Sequence, residues 1–408
     1  MTIELDALRF VERVDVYKGG VLAAELSRGP RGVTFRYDDA HLERGGPPVA
    51  FTLPLSAELV VAAGPGALPP FFSGLLPEGR RLTALRRAVK TSVDDELSLL
   101  LAVGNDVIGD VQVVPSGEHP VESEPRLSVR SWEEIRFRDL LADAGQSSID
   151  RVALPGVQDK VSACMITVPV AQRADRFILK LNPPEYPHLV ANEKFFLDAA
   201  RSCGLDVAEA TVVHDAEGIE GLLVRRFDRA ASEVGVTPLG QEDACQVLGR
   251  YPADKYRLSA EEVVVALARV CRSTPVAARD LFRQIIFAYL TCNGDAHAKN
   301  FSVVHRGEWR VSPAYDVPSS HPYGAHTLAL SIAGKTREDV GRDDCLALAA
   351  AAGVAPRAAT KVIDAIVEGT EHWLPELDTL PFDVQRIHRL RRAIEYRRTR
   401  LARRTGAR

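Results

Sequence analysis

The sequence predicts an α+β fold of two lobes: a mixed α/β amino-terminal half with an added sheet-rich subdomain, followed by an all-helical carboxy-terminal half. Three observations predict it. Up to about residue 115, short apolar runs alternate with the period of strands and are punctuated by glycine and proline. Between Arg151 and Arg229, strand-like runs flank one helix-like stretch. From Glu242 onward the apolar residues recur at helical spacing, with start and stop signals at the ends. A chain of 408 residues is long enough for two or three compact domains. The boundaries read as 1–115, 116–241 and 242–408.

Composition excludes several classes. With 46% hydrophobic and 26% charged residues, the chain is that of a soluble globular protein. No stretch approaches the roughly twenty uncharged apolar residues of a membrane helix, and MTIELDALRF is acidic where a signal peptide would be basic. A cytoplasmic protein with no membrane contact is expected. Its six cysteines (Cys164, Cys203, Cys245, Cys271, Cys292, Cys345) lack the paired short spacing of zinc or disulfide frameworks, so they are expected to be reduced core residues. A net charge of -4 gives no global reason for nucleic-acid binding, yet Arg386 to Arg408 holds ten arginines against one acid, Glu395. Ile387, Leu390, Ile394 and Leu401 recur there at helical spacing. A final helix docked by an apolar stripe is expected, its arginine face either solvated or turned to phosphates or an acidic partner.

In the amino-terminal module, VDVYKGGVLAAEL places a Gly19-Gly20 turn between two strand-like runs, a hairpin signal, and Val33 to Asp38 alternates again. Gly46 to Pro70 reads as irregular, and an arginine-rich helix begins near Arg80. This module carries no evident chemistry, and docking or packing is its default role. Ser116 to Pro125, rich in Glu, Pro and Ser, reads as a surface connector.

The next segment, RVALPGVQDKVSACMITV, places Pro155, Gly156 and Lys160 in a turn before an apolar run from Val161 to Val168. This is either a simple hairpin turn or a loop whose amides approach phosphate with a lysine beside them. In RFILKLN, Phe177, Leu179 and Leu181 share one strand face while Lys180 emerges on the other. A buried lysine needs an acid or a phosphate. Thirteen residues on, Glu193 shares a helical face with Leu189, Phe196 and Ala200, where an unpaired carboxylate would be costly. A Lys180–Glu193 pair is therefore expected, structural or phosphate-holding, in a helix that Gly204 can end. GLLVRRFDR then reads as a strand leaving the first lobe, with Arg225, Arg226 and Phe227 where a hinge would touch a base.

Beyond Glu242, EDACQVLGR, SAEEVVVALARVC and Pro275 to Cys292 are helix-like, with Thr274 as cap and Pro275 in the first turn. NGDAHAKNFS follows. Asp295 and Asn300 lie five residues apart on what reads as one loop, and after a strand-like stretch (Glu308 to Val311, then Ser312 to Tyr315) comes Asp316. Singly, these are ordinary turn residues. In this order they suit phosphoryl transfer: a carboxylate accepts the proton of an attacking hydroxyl, while the amide and a second carboxylate hold a metal ion on nucleotide phosphates. Asp343 to Gly353, Pro356 to Gly369 and Val384 to Leu401 complete the helical half, and the two lobes form a protein-kinase-like plan with one cleft.

The chain resembles the HipA toxin serine/threonine kinases of bacterial type II toxin-antitoxin systems. The resemblance rests on FFSGLLPEG with GNDVIGDVQV, then GVQDK, FILKLN, the NE of Glu193, VRRFDR, NGDAHAKNFS and SPAYDV, in order over nearly the whole chain. It implies an ATP- and Mg2+-dependent protein kinase with the HipA-like fold. Asp295 would be the general base, with Lys299 assisting by stabilising charge on the transferring group. Asn300 and Asp316 would bind magnesium, and Lys180 with Glu193 the ATP phosphates. The loop of Pro155, Gly156, Val157, Gln158, Asp159 and Lys160 would cover ATP, and Arg225 to Phe227 would touch adenine. His297 reads as a structural residue with backbone contacts near the phosphates. It further implies arrest of growth by phosphorylation of a translation protein such as an aminoacyl-tRNA synthetase, and neutralisation by a HipB-like helix-turn-helix antitoxin, with DNA contact only in that complex.

Two positions depart from the family pattern. Ala153 stands where members have an autophosphorylated serine, so that self-inactivation is absent or moved to Ser147 or Ser148. Arg225 stands where an acid is usual. Two other readings compete: a small-molecule phosphotransferase, against which the amino-terminal module and Asn293 speak, and an inactive binding module or co-repressor acting with a DNA-binding partner.

Overall fold

A computed structural model gives the fold and describes residues 5–30, 32–62, 64, 66–121, 127–129, 131–140, 166–172, 175–232 and 235–403. The chain divides into two compact units: one holds 1–126, 138–153 and 228–254, the other 127–137, 154–227 and 255–408.

The first unit is built on an antiparallel sheet of β1 (Arg13–Lys18), β2 (Val21–Gly29), β3 (Gly32–Tyr37), β4 (Val60–Val61) and β5 (Val111–Pro115), in the order β4-β3-β2-β1-β5. The expected hairpin is present. Gly19 and Gly20 have φ of 56° and 80°, the left-handed pair that a two-residue turn demands and that side chains resist. Val14, Val16, Leu26, Phe35 and Val113 are buried from this sheet and meet Leu97 and Leu100 of the Glu96–Val103 helix and the rings of Phe71 and Phe72. The arginine-rich helix runs Gly79–Val89.

Asp228–Asp254 belongs to the same unit although it is more than a hundred residues away from β5. Polar groups tie it in. Asp228 Oδ2 accepts the Gly109 amide at 3.0 Å, and the Arg229 guanidinium reaches Asp106, Asp228 and the carbonyls of Val107 and Gly109. The FDR and GNDVIGD motifs are thus two sides of one buried contact. Nearby, Glu242 Oε1 accepts the Phe51 amide at 3.0 Å. Burial pushes the Glu242 carboxyl up to about 8, against the Phe51 amide and the Lys18 ammonium, with Asp243 and Asp110 adding to the rise. Between the ordinary carboxyl value and about 8 the folded chain holds a proton that the unfolded chain has released. Glu242 therefore contributes stability below the ordinary value, and this is lost as pH rises through about 8. The thermal midpoint of this unit should fall between pH 5 and pH 8 more steeply in the wild type than in Glu242→Gln; parallel slopes would contradict this.

The second unit opens with a sheet of β6 (Leu127–Ser128), β7 (Ile166–Gln172), β8 (Asp175–Leu181), β9 (Ala210–His214) and β10 (Glu220–Arg225), in the order β6-β7-β8-β10-β9. Only β6 and β7 run parallel. The Leu189–Ser202 helix packs on this sheet and ends before Gly204, whose φ of 75° stops it as expected. The remaining helices, Ala260–Val270, Thr274–Leu290, Arg342–Ala351, Pro356–Trp373 and Val384–Ala402, fall within a few residues of the predicted stretches. The Thr274–Leu290 helix is capped one residue earlier than expected, at Ser273. Ser302–His305 pairs with Trp309–Val311 as a hairpin, but Ser312 to Tyr315 forms no strand; Ala314 makes an isolated bridge to Val207 instead.

The final helix docks through Ile387, Leu390, Ile394 and Leu401 as its spacing requires. Its arginines are more engaged than a solvated face. Arg397 is 3% exposed, donates to the Tyr289 carbonyl and lies 4.9 Å from that ring. Arg400 donates to the carbonyls of Asp339 and Val340, Arg398 pairs with Glu371, and Arg391 pairs with Asp378. Among the described residues, Cys203, Cys245, Cys271, Cys292 and Cys345 are buried thiols. No described helix is long and apolar enough to cross a membrane.

Candidate active site

The alternation of β8 buries Leu179 and Leu181 and leaves Lys180 on the opposite face, in register with Leu222 of β10. There its ammonium meets Glu193, a turn into the Leu189–Ser202 helix, at 2.7 and 2.9 Å. A second carboxylate, Asp316 Oδ1, lies 3.1 Å away. Glu193 is 1% exposed and the Lys180 side chain 13%. Burial alone would lower the Lys180 ammonium, but the charges of Asp316 and Glu193 win and raise it, so it stays protonated. Burial holds the Glu193 carboxyl above its ordinary range, opposed by Lys180 and reinforced by Asp316. One cation serves two carboxylates.

The residues of NGDAHAKNFS converge on the same carboxylate. Asp316 has a φ of 56°, a left-handed conformation that Asp tolerates better than bulkier residues and that breaks the chain away from the preceding segment. Its Oδ2 lies 3.3 Å from Asn300 Nδ2, and its carbonyl accepts from Asn293 Nδ2 at 3.2 Å. Asn300 also donates to the Asp295 carbonyl at 3.0 Å, and Asn293 Oδ1 accepts the Asp295 amide at 3.0 Å. The two carboxamides thus fasten the loop to Asp316 and set the height of Asp295, which is 2% exposed. Gly294 lies so close to the chain beyond Asp316 that a Cβ would sit 2.5 Å from the Thr327 carbonyl and 2.9 Å from Ser320 Oγ. The glycine of NGD is therefore a packing requirement as well as a turn.

Asn300 and Asp316 are neighbours, with the carboxamide nitrogen turned to Asp316 Oδ2, and carboxylate and amide oxygens are the ligand types that suit magnesium. Among the described residues no three His, Cys, Asp or Glu are grouped to hold a metal. A magnesium ion here would draw its other ligands from phosphate and water, the usual arrangement for a nucleotide-borne ion.

Against this geometry stand the comparisons with known proteins. A model of the HipA-like C-terminal domain matches residues 152–374, and one of the HipA N-terminal domain matches residues 14–114. The chain belongs to the HipA family. A relative from Sinorhizobium fredii, "Putative kinase Y4mE", is 30% identical over 410 residues, covering 93% of this chain and 96% of its own length. The "Serine/threonine-protein kinase toxin HipA" of Shewanella oneidensis is 26% identical over 348 residues, with 78% of each chain covered. The solved structure of HipA from Shewanella oneidensis, in complex with HipB and operator DNA, matches with a TM-score of 0.76 at 21% identity, covering 95% of this chain and 96% of that one. The fold is thus the HipA-like α+β fold, sheet-rich in its amino-terminal half and helical towards its carboxyl end.

Within this HipA-family chain, Lys180, Glu193, Asp295, Asn300 and Asp316 come together in one unit. His297 is 6% exposed, donates its amide to the Asp295 carbonyl at 2.7 Å and packs its ring on Tyr256. Lys299 is half-buried, and its carbonyl accepts from Tyr315. The loop of Pro155 to Lys160 lies outside the described residues. The Arg225 guanidinium pairs with Asp175 at 2.6 Å and Glu209 at 3.1 Å. The Arg225 and Arg226 amides donate to the carbonyls of Glu209 and Arg176, while the Phe227 ring lies 5.4 Å from that of Tyr315. Sequence reasoning missed two contributors. Asn293 was read as a turn residue and as a mark against a small-molecule phosphotransferase, not as an anchor of the loop, and Tyr256, whose hydroxyl donates to Asp295 Oδ1 at 2.7 Å, carried no signal at a distance of 39 residues.

Proposed function

We propose that this HipA-family protein is an ATP- and magnesium-dependent protein serine/threonine kinase. It acts as the toxin of a type II toxin-antitoxin pair, modifies a translation protein such as an aminoacyl-tRNA synthetase, and is restrained by a HipB-like helix-turn-helix antitoxin. The observation that carries the reading is the shared carboxylate of Asp316, in reach of both the Lys180 ammonium and the Asn300 amide. That arrangement links a phosphate-holding cation, a metal-holding pair and a loop carboxylate in one constellation. The kinship with relatives named as kinases, and with HipA bound to HipB, supports the partner class.

In the mechanism, Lys180, fixed by Glu193, holds the nucleotide's phosphates, and the loop of Pro155 to Lys160 covers them. Asn300 and Asp316 would hold magnesium, which neutralises charge on the phosphates. Asp295 orients the substrate hydroxyl and takes its proton as the oxygen attacks, and Lys299 stabilises charge on the transferring group. Of the linker segment, the Phe227 ring is the group assigned to adenine, because the Arg225 guanidinium is held by two carboxylates. Residues 1–115 are read as the added subdomain, 116–241 as the nucleotide-holding lobe and 242–408 as the helical lobe.

The test is incubation of the purified protein with radiolabelled ATP, magnesium and a cell lysate, beside Asp295→Asn. A labelled band that disappears in the variant is expected. ATP binding with neither a labelled band nor self-labelling would reject the kinase reading in favour of a binding module.

A further inference from the structure

We propose that Tyr256 is a positioning residue for phosphoryl transfer: its phenol holds one oxygen of Asp295 so that the other faces the substrate hydroxyl. The inference rests on the reading of Asp295 as the base.

The Tyr256 hydroxyl donates to Asp295 Oδ1 at 2.7 Å. A carboxylate offers two oxygens, and a general base needs one for the proton it takes. With Oδ1 held by the phenol, rotation of the carboxylate is restrained and Oδ2 keeps one direction. The backbone on either side of that carboxylate is already set, by Asn293 Oδ1 on the Asp295 amide and by Asn300 Nδ2 on its carbonyl. The remaining freedom of a short Asp side chain is rotation about its own bonds, and Tyr256 acts on it directly.

Tyr256 is itself held from several sides. Its ring meets the ring of His297 edge to face at 5.0 Å, and Lys255 Nζ lies 5.3 Å from its centroid. The Lys255 carbonyl accepts the Ala298 amide at 3.1 Å. Two consecutive residues therefore grip the catalytic loop, one through the main chain and one through the side chain. The ring remains half-buried while Asp295 is 2% exposed.

Tyr256→Phe keeps the ring and removes the hydroxyl. The turnover of magnesium and ATP is read as phosphate transferred to dephosphorylated casein plus phosphate released to water, with the KM for ATP and the thermal midpoint measured on the same samples. Since small misplacements of a reacting group cost up to about 100-fold, kcat should fall roughly 10- to 100-fold with the KM for ATP and the midpoint little changed. Tyr256→His, which keeps a ring and a donor, should recover part of the rate. An unchanged kcat in Tyr256→Phe overturns the proposal, as does a loss in which kcat, ATP affinity and midpoint fall together. Asp295→Asn separates the two levels. If it turns over ATP like the wild type, or if the wild type neither transfers nor hydrolyses, the reading of the base fails and takes the Tyr256 proposal with it. If Asp295→Asn is inactive while Tyr256→Phe matches the wild type, only the role of Tyr256 is lost.

Discussion

Asp295→Asn is expected to lower phosphoryl transfer roughly 100- to 10,000-fold, the usual worth of a positioned base, while ATP affinity stays within a few fold. The substitution is nearly isosteric. Its backbone anchors to Asn293 and Asn300 involve main-chain atoms and survive, and the Tyr256 hydroxyl can donate to the amide oxygen. What disappears is the ability to take a proton. Nucleotide binding, assigned to Lys180 and to the Asn300–Asp316 pair, has no direct share in Asp295 Oδ2. Single-turnover transfer and ATP titration on one preparation check this; a variant that loses ATP affinity as steeply as activity would show that Asp295 belongs to the binding apparatus.

Lys180→Met should cost both stability and ATP binding. Glu193, 1% exposed, and Asp316 then face each other without their cation, and removal of one partner of a buried pair costs about 3–5 kcal/mol. Because burial already holds the Glu193 carboxyl above its ordinary range, the variant escapes part of that cost by taking up a proton. Its destabilisation should therefore grow with rising pH. The double variant Lys180→Met/Glu193→Leu should regain most of the lost stability, since an apolar pair replaces an ionic one, and should remain unable to bind ATP. Urea unfolding with ATP titration resolves the two effects. Equal instability of the single and double variants would mean that the ion pair is not the source of the loss.

The parts of this site legible in the sequence are those where a periodic pattern and a misplaced polar residue coincide. Lys180 interrupts the apolar run of FILKL, Glu193 interrupts the apolar stripe of its helix, and the two were matched because each needed the other. The helices of the carboxyl-terminal half were legible for the same reason, their caps and apolar stripes being local properties. Contacts between residues with no shared period were not legible. Tyr256 reaches Asp295 across two helices, and nothing in ADKYR marks its phenol as different from any half-buried tyrosine. The return of Asp228–Asp254 to the sheet of the first unit is equally silent, because it depends on a buried aspartate meeting a glycine amide 119 residues away. Arg225 shows the converse: its strand and position were read correctly, but its partners, Asp175 on the neighbouring strand and Glu209, are set by pairing geometry that the linear order does not display.

The buried thiols have a use in the laboratory. The thiolate is the reactive form, and burial pushes Cys292 up to about 11 and Cys271 and Cys345 up to about 12. In the native state these sulfurs are nearly inert to alkylating reagents, so the rate of labelling at each reports how often its surroundings open. Cys245 reports on the first unit, and Cys203, Cys271, Cys292 and Cys345 report on the second. Cys292 immediately precedes the loop that carries Asp295, so pulsed alkylation with mass spectrometry follows local opening at the loop's base separately from global unfolding, with no engineered label.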